Sequence, residues 1–387
     1  MKFLHTSDWH IGRQFHNVSL LEDQRHVLQQ LLAHVQEQRV DAVVIAGDIY
    51  DRSIPPAAAV ELLDEVLHTL CMEIGVPVIL IPGNHDSAER VRFGARQLKE
   101  AGLHIIGNLR DATEPVILQG THGDVHFHGI PYNDPEHVRA EFAGELEAEG
   151  VEIKNHDDAH TWLVNRIHAS KQADVAHVLI SHCFVAGGRV SESERPLAVG
   201  GADNVSWQPL EDFHYVALGH LHAPQHQGAE HIRYSGSLLK YSFSEAGQNK
   251  GVTLVELQAD GSAVTTLLPL SPLRDVRVIE GELQHILQQG QSDLARDDYV
   301  MVRLQDKEAL LDTMARLRTV YPNALHIEKP GLMQQGDMQS LSQEQLRRNE
   351  LDIFADFYRE VRGEDMTDAQ RAVVGDIVKE LYKEDGV

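Results

Sequence analysis

"DAVVIAGDIYDRSIPP" (Asp41–Pro56) is the stretch whose reading decides the fold. Ala42 to Ala46 run without a polar interruption and stop at Gly47, the pattern of a strand buried on both faces. Asp48 follows the glycine directly, and ligand sites of open α/β sheets lie at the carboxyl ends of their strands. Pro55 and Pro56 then close the loop and set the start of a helix, because proline suits a first helical turn.

The same unit recurs outward from this point. Residues 2–7 read as a short buried strand, followed by a helix near Leu20–Gln38. A helix near Ala57–Glu73, strand "VPVILIPG", a helix over Ser87–Ala101 and strand "LHIIG" come next. Later strands are "VHFHGI", "AHVLISH", "YVALGH" and "GVTLVEL". Strands alternating with helices imply a mainly parallel sheet, and the second group of strands implies a second sheet. The expected fold class is α/β, a two-sheet sandwich over residues 1–270. A smaller α+β capping domain over 275–330 follows, in which strand and helix patterns alternate as βαβαβ. A Gly/Gln-rich link, "GLMQQGDMQS", leads to a C-terminal helical segment over 340–387, with helical patterns at Ser342–Val361 and Thr367–Tyr382.

Bulk composition narrows the function classes. With 387 residues, 42% hydrophobic and 24% charged, the chain has the make-up of a soluble globular protein of two or three domains. No apolar run is long enough to span a membrane, and the N-terminus lacks signal-peptide architecture. Cys71 and Cys183 are the only cysteines, which excludes a disulfide framework or thiolate zinc site and suits a cytoplasmic location. The net charge of −25 argues against tight, unaided binding of nucleic acid. It leaves a metal-dependent phosphoesterase open, because a metal-lined cleft is locally positive.

Five short pieces at strand ends carry metal-compatible side chains. They are "SDWH" (Asp8, His10), "GD" (Asp48), "GNHD" (Asn84, His85), "SH" (His182) and "GHLH" (His220, His222). Asp8 and His10 are two apart, as are His220 and His222, so each pair points to one side if the backbone is extended. Oxygen and nitrogen donors without sulfur suit Mn(II), Fe(II) or Zn(II) better than calcium. The set is large enough for two ions about 3.5–4 Å apart with one carboxylate between them. His85 can stabilise a pentacovalent phosphate or protonate the leaving oxygen. The pair His126 and His128, with no accompanying motif, reads as a solvated strand face. Tyr234–Ser237, "YSGS", either positions a substrate backbone or forms a plain turn, and "AVGGADNV" is too short to be a phosphate loop.

The ordered set "SDWHIG", "GDIYDRSIPP", "PGNHDS", "ISH" and "GHLH…YSGS" resembles the calcineurin-like metallophosphoesterases. Within them the chain looks like the nuclease subunits of bacterial DNA-repair complexes built on an SbcC-type coiled-coil ATPase. Asp51-Arg52 is shared with Ser/Thr protein phosphatases, but Ser53 stands where those have Gly, and "GNHD" replaces their Gly-Asn-His-Glu. The resemblance implies a first metal held by Asp8, His10, Asp48 and His222. It implies a second held by Asp48, Asn84, His182 and His220, with Asp48 bridging and His85 as the catalytic histidine. It further implies two divalent ions, manganese with magnesium, iron or zinc as alternatives, and hydrolysis of DNA phosphodiesters, as a 3′→5′ exonuclease on duplex ends and an endonuclease on single strands and hairpins. The implied partners are DNA, the ATPase docked through the C-terminal helices, and a second copy of the chain. The homodimer, within a heterotetramer, is expected to form through Ala57–Leu70 and Ser87–Leu98. Asp51 is given no part in this scheme. The competing expectation is a metallophosphoesterase for a small nucleotide or a phosphoprotein.

Overall fold

The computed structural model describes residues 1–194, 204–306, 310–329, 355, 358 and 365–375. Two six-stranded sheets face each other. In the first, the strands run in the order Ala263–Pro269, Gly251–Leu257, Lys2–Thr6, Ala42–Ala46, Val78–Ile81, Leu103–Ile105. In the second, the order is Gln225–Gln227, Ala229–Tyr234, Tyr215–Gly219, Ala176–His182, Gly123–Ile130, Val116–Gly120. The central strands of each sheet are parallel, and antiparallel pairings lie toward the edges.

The deciding strand shows why its sequence is apolar throughout. Ala42, Val44 and Ala46 enter the core between the sheets, where Phe3 meets Phe127 and Tyr215 edge-on at 5.4 and 5.6 Å. Val43 and Ile45 enter a different core, under the helices Leu21–Gln38 and Ala57–His68. Each residue of the run faces one hydrophobic layer or the other, so no position tolerates water. The second sheet is backed in the same way by helix His156–Ser170, through Leu163, Val164 and Ile167.

From Val276 a three-stranded parallel sheet, Val276–Gly281, Tyr299–Leu304 and Ala324–Glu328, alternates with helices Leu283–Gly290 and Thr313–Arg318. It is tied to helix Leu21–Gln38 by buried Asp23. That carboxylate accepts from Arg274 at 3.0 and 2.9 Å and from the Tyr299 hydroxyl at 2.9 Å. The chain divides into compact units Met1–Glu328 and Lys329–Val387. In the second unit residues 368–375 are helical. Gln370 and Thr367 cap that helix reciprocally, with the Thr367 N–H donating to Gln370 Oε1 at 2.9 Å. Apart from residues 355, 358 and 365–375, the expected segment 340–387 lies outside the described residues, as does the link before it. Among the described residues no helix is long and apolar enough to cross a membrane.

Two expectations change. The helix expected over Ser87–Ala101 is two short helices, Ala88–Val91 and Ala95–Leu98, with a 3₁₀ turn over Lys99–Ala101. Gly94 breaks it by adopting φ +74°, a left-handed conformation that ends a helical run. His126 and His128 are buried, not solvated. Their strand is interior to the second sheet, and His128 bridges the Ala112 carbonyl at 3.2 Å and His177 at 3.1 Å.

Candidate metal centre

The eight residues singled out in the sequence come together where the strands of both sheets end. Asp8 and His10 follow Lys2–Thr6, Asp48 follows Ala42–Ala46, and Asn84 and His85 follow Val78–Ile81. His182 is the last residue of Ala176–His182, and His220 and His222 follow Tyr215–Gly219. The pairs do not converge by extended backbone, as their spacing suggested. Asp8 (φ 52°), His10 (φ 45°), Asp48 (φ 50°) and His220 (φ 109°) all have left-handed backbones. Such positions cost of the order of 1–3 kcal/mol each and persist only where surrounding bonds impose them. Here the Asp8 N–H donates to the Gly47 carbonyl and the His10 N–H to the Asp48 carbonyl, both at 3.0 Å. The His220 N–H donates to Asp8 Oδ1, also at 3.0 Å.

Asp86, the last residue of "GNHD", staples two of these loops. Its carboxylate accepts the N–H groups of Ile49, Tyr50 and Gly83 at 2.9–3.0 Å. Burial and the neighbouring Asp48 push its pKa up to about 7, against the pull of those three donors.

The hydrogen bonds around the histidines decide which ring nitrogens carry lone pairs. His182 Nδ1 lies 2.9 Å from the Ala46 carbonyl, which can only accept, so the proton sits there. Its Nε2 lone pair then faces Asn84 Oδ1 at 3.0 Å and Asp48 Oδ2 at 3.6 Å. His222 Nδ1 donates to Ser193 Oγ at 2.6 Å, and that hydroxyl donates onward to Glu245. The Nε2 of His222 lies 3.1 Å from His10 Nε2, itself 3.5 Å from Asp48 Oδ2. His220 Nδ1 lies 3.3 Å from Asn84 Oδ1. The donor atoms of Asp8, His10 and His222 fall within 4.8 Å of one another, and so do those of Asp8, Asp48 and His182.

Lone pair thus faces lone pair across a buried site, an arrangement that suits cations. Burial keeps the imidazoles neutral: it lowers His182 and His222 to about 4 and His10 and His220 well below their ordinary value. Burial raises Asp48 to about 6 and Asp8 well above the usual carboxylate range, with Asp48 repelling Asp8. Divalent ions remove both penalties, because each carboxylate then faces positive charge. His85 stands at the edge, half-buried, with its ring 4.6 Å from that of His10. Its main-chain N–H donates to Asp48 Oδ1 and its Nδ1 to the Asp51 carbonyl, both at 2.9 Å, which leaves the Nε2 lone pair uncommitted among the described residues.

Behind His222 lies a support that spacing gave no means of finding. Glu245 is fully buried and paired with Lys250 at 2.6 Å. Lys250 Nζ also donates to the His222 carbonyl at 2.7 Å and to Ser237 Oγ at 2.9 Å. The His222 N–H donates to Glu194 at 2.6 Å. Tyr234–Ser237 belongs to this support, with every side chain turned inward. Tyr234 donates to the Cys183 carbonyl, and Ser235 bonds Ser7, so the stretch is a bracing turn. The "AVGGADNV" stretch lies outside the described residues except for Asn204 and Val205. Glu245→Gln removes the charge that orients Ser193 and His222 and leaves Lys250 buried without its acid. Its affinity for divalent metal is expected to fall about 10–100-fold, measured by calorimetric titration.

Residues 1–224 match the profile of the calcineurin-like phosphoesterases, and residues 272–362 match that of a type 5 capsule protein repressor C-terminal domain. The SbcD subunit of the nuclease SbcCD from Staphylococcus epidermidis is 35% identical over 325 residues, covering 84% of each chain. The chain belongs to the calcineurin-like phosphoesterases, in the SbcD family. Among solved structures, TT1561 of Thermus thermophilus is similar at 14% identity, over 69% of this chain and 98% of that one, with TM-score 0.39. A dimetal phosphatase from Danio rerio is similar at 13% identity over the same shares, with TM-score 0.38. As a calcineurin-like phosphoesterase of the SbcD family, the protein is a metal-dependent enzyme of phosphoester hydrolysis. The converging donors are those of a divalent metal pair.

Proposed function

We propose that the protein is a Mn(II)-dependent DNA nuclease acting with an SbcC-type coiled-coil ATPase in end processing, repair and recombination. It removes nucleotides 3′→5′ from duplex ends and cuts single strands and hairpins internally. The observation that carries this reading is 35% identity to the SbcD subunit of a nuclease SbcCD across 84% of both chains. In this scheme Asp8, His10, Asp48 and His222 hold one ion, and Asp48, Asn84, His182 and His220 hold the other. Bound ions supply an acidified water and neutralise the phosphate oxygens in an in-line displacement. Asp48 lies between the two ligand groups, and its Oδ1 is aimed by the His85 N–H. His85, with Nδ1 committed to the Asp51 carbonyl, directs Nε2 at the phosphate or the leaving oxygen.

The rest of the chain supports an assembly. Domains over 1–270 and 275–330 and a docking segment over 340–387 would place the nuclease against the ATPase, which supplies DNA-binding surface that a chain of charge −25 lacks. Homodimer contact through Ala57–Leu70 and Ser87–Leu98 accounts for large apolar side chains left in water there, including Val60, 43% exposed, and Phe93, 85% exposed. The complex would be a heterotetramer in the cytoplasm, on the nucleoid when bound to DNA.

The second reading, a small-nucleotide or phosphoprotein phosphoesterase, uses the same metals on another substrate. Incubation with Mn(II) and blunt or hairpin DNA, with and without the ATPase, decides between them when set beside a nucleotide monoester and a phosphopeptide. Cleavage of DNA at the higher kcat/KM is the expected result, and preference for either monoester would reject the nuclease reading. His85→Ala is expected to slow DNA cleavage by about 10²-fold or more while Mn(II) binding persists.

A further inference from the structure

His10 presents Nε2 to Asp48 and His222, so its proton belongs on Nδ1 if Nε2 is to bind metal. That Nδ1 is buried and makes no hydrogen bond among the described residues. The oxygen facing it is Asp51 Oδ1, at 3.6 Å. The Asp51 carboxylate is itself held by two arginines. Arg13 Nη1 donates to Oδ1 at 3.2 Å, and Arg52 Nε lies 3.7 Å from Oδ2. Arg13 is fixed in turn by the Ser193 carbonyl at 3.0 Å and by the Tyr241 ring, 4.9 Å away. That ring also stands edge-on to His10 and His222, at 5.4 and 5.6 Å. The Asp51 N–H donates to the Ile11 carbonyl at 3.2 Å, which ties its loop to the one carrying His10.

We propose that Asp51 is the positioning residue of His10, its carboxylate fixing the imidazole in the tautomer whose Nε2 binds metal. This rests on His10 being a metal ligand, as proposed above. Metal-binding histidines are commonly oriented by a carboxylate on the second ring nitrogen, and here Arg13 aims that carboxylate. The backbone carbonyl of the same residue holds His85 Nδ1, so one loop position sets the tautomers of a metal ligand and of the histidine facing the substrate. The side chain serves the first and the main chain the second, so a side-chain substitution separates them.

The test is calorimetric titration of the full chain with Mn(II), comparing wild type, Asp51→Asn and His10→Ala. Asp51→Asn is expected to weaken one Mn(II) site about 10–100-fold and leave the other unchanged. DNA cleavage by this variant should return toward the wild-type kcat at saturating Mn(II), because the main-chain bond to His85 survives. If Asp51→Asn does not fold, Arg13→Gln, which frees the carboxylate, is expected to weaken the same site by several-fold. Wild-type Mn(II) affinity in Asp51→Asn, alongside a lost site in His10→Ala, overturns the inference alone. Equal weakening of both sites also overturns it, since that marks a merely structural role. Three Mn(II) equivalents in wild type and two in Asp51→Asn would make Asp51 a direct ligand and overturn it as well. Unchanged Mn(II) binding in His10→Ala would instead bring down the metal assignment itself.

Discussion

Replacing Asp48 by asparagine should lower phosphodiester hydrolysis by about 10³-fold or more, because it removes the one carboxylate that both proposed ions share. Oδ2 of Asp48 lies 3.5 Å from His10 Nε2 and 3.6 Å from His182 Nε2, so the loss reaches both ligand groups. The metal-free protein should respond in the opposite sense. Burial raises Asp48 to about 6 and Asp8 higher than usual, so folding without metal opposes their ionisation. A carboxyl with a raised folded-state pKa contributes stability that is present below its unfolded value, near pH 4, and lost as pH rises through the folded value. Asp48 and Asp8 should therefore cost the metal-free wild type stability between about pH 4 and pH 6, while the buried imidazoles of His182 and His222, lowered to about 4, contribute in the opposite sense over the same range. The difference between variant and wild type isolates the carboxyl: Asp48→Asn should gain on wild type as pH rises from about 4 to 6 and should melt at or above the wild-type temperature at pH 7. Mn(II) should raise the melting temperature of wild type strongly and of the variant little. A variant that melts lower without metal, yet gains as much from Mn(II) as wild type, would remove Asp48 from between the ions.

Periodicity and spacing reached some parts of this molecule and not others, for reasons visible in the contacts. "DAVVIAG" was legible because a strand between two cores must be apolar at every position. The set of converging side chains was legible because strand ends punctuated by Gly, Asp, His and Asn leave few other readings. Their convergence was anticipated for a reason that the backbone contradicts: Asp8, His10 and His220 turn in by left-handed conformations, which residue spacing does not encode. Three helices, Pro135–Glu141, Ala143–Glu149 and His156–Ser170, are additional to the elements expected from the sequence. The last of them carried a usable signal in Asn155, whose side chain caps it by accepting the Asp158 N–H at 2.9 Å. Glu245, Lys250 and Glu194 had no such signal. Glu245 and Lys250 lie in the connection from Tyr234 to Gly251 and Glu194 in another loop, and they support His222 through contacts that exist only once the two sheets have packed. Asp86 is intermediate: it sits inside a recognised motif, yet its role as a staple depends on backbone groups 36 and 37 residues away.

Gly219→Ala should be the most damaging small substitution in the core, because the two sheets touch at that position with no room for a methyl group. A Cβ on Gly219 would lie 1.8 Å from the Ala46 carbonyl oxygen and 2.8 Å from His182 Nδ1. The first of these atoms is backbone, held in the parallel pairing of Ala42–Ala46 with Val78–Ile81, so no rotamer change relieves the clash. The Ala46 carbonyl is also the acceptor that fixes the His182 tautomer, at 2.9 Å. Separating the sheets enough to admit the methyl therefore breaks the bond that aims the Nε2 lone pair at Asn84 and Asp48. Overpacking of this kind costs about 3 kcal/mol, and more where backbone must move. The expected result is a melting temperature lower by about 5–10 °C in metal-free buffer, with weaker Mn(II) binding in the fraction that folds. The coupling separates this prediction from ordinary core damage. Trimming a methyl from Ile180, buried in the same inter-sheet core, should lower the melting temperature through cavity formation and leave Mn(II) affinity as it was. A Gly219→Ala protein as stable as wild type would mean that the sheets are not in backbone contact at the strand ends, and that the metal donors are held together by something other than the close approach of Gly219 to Ala46.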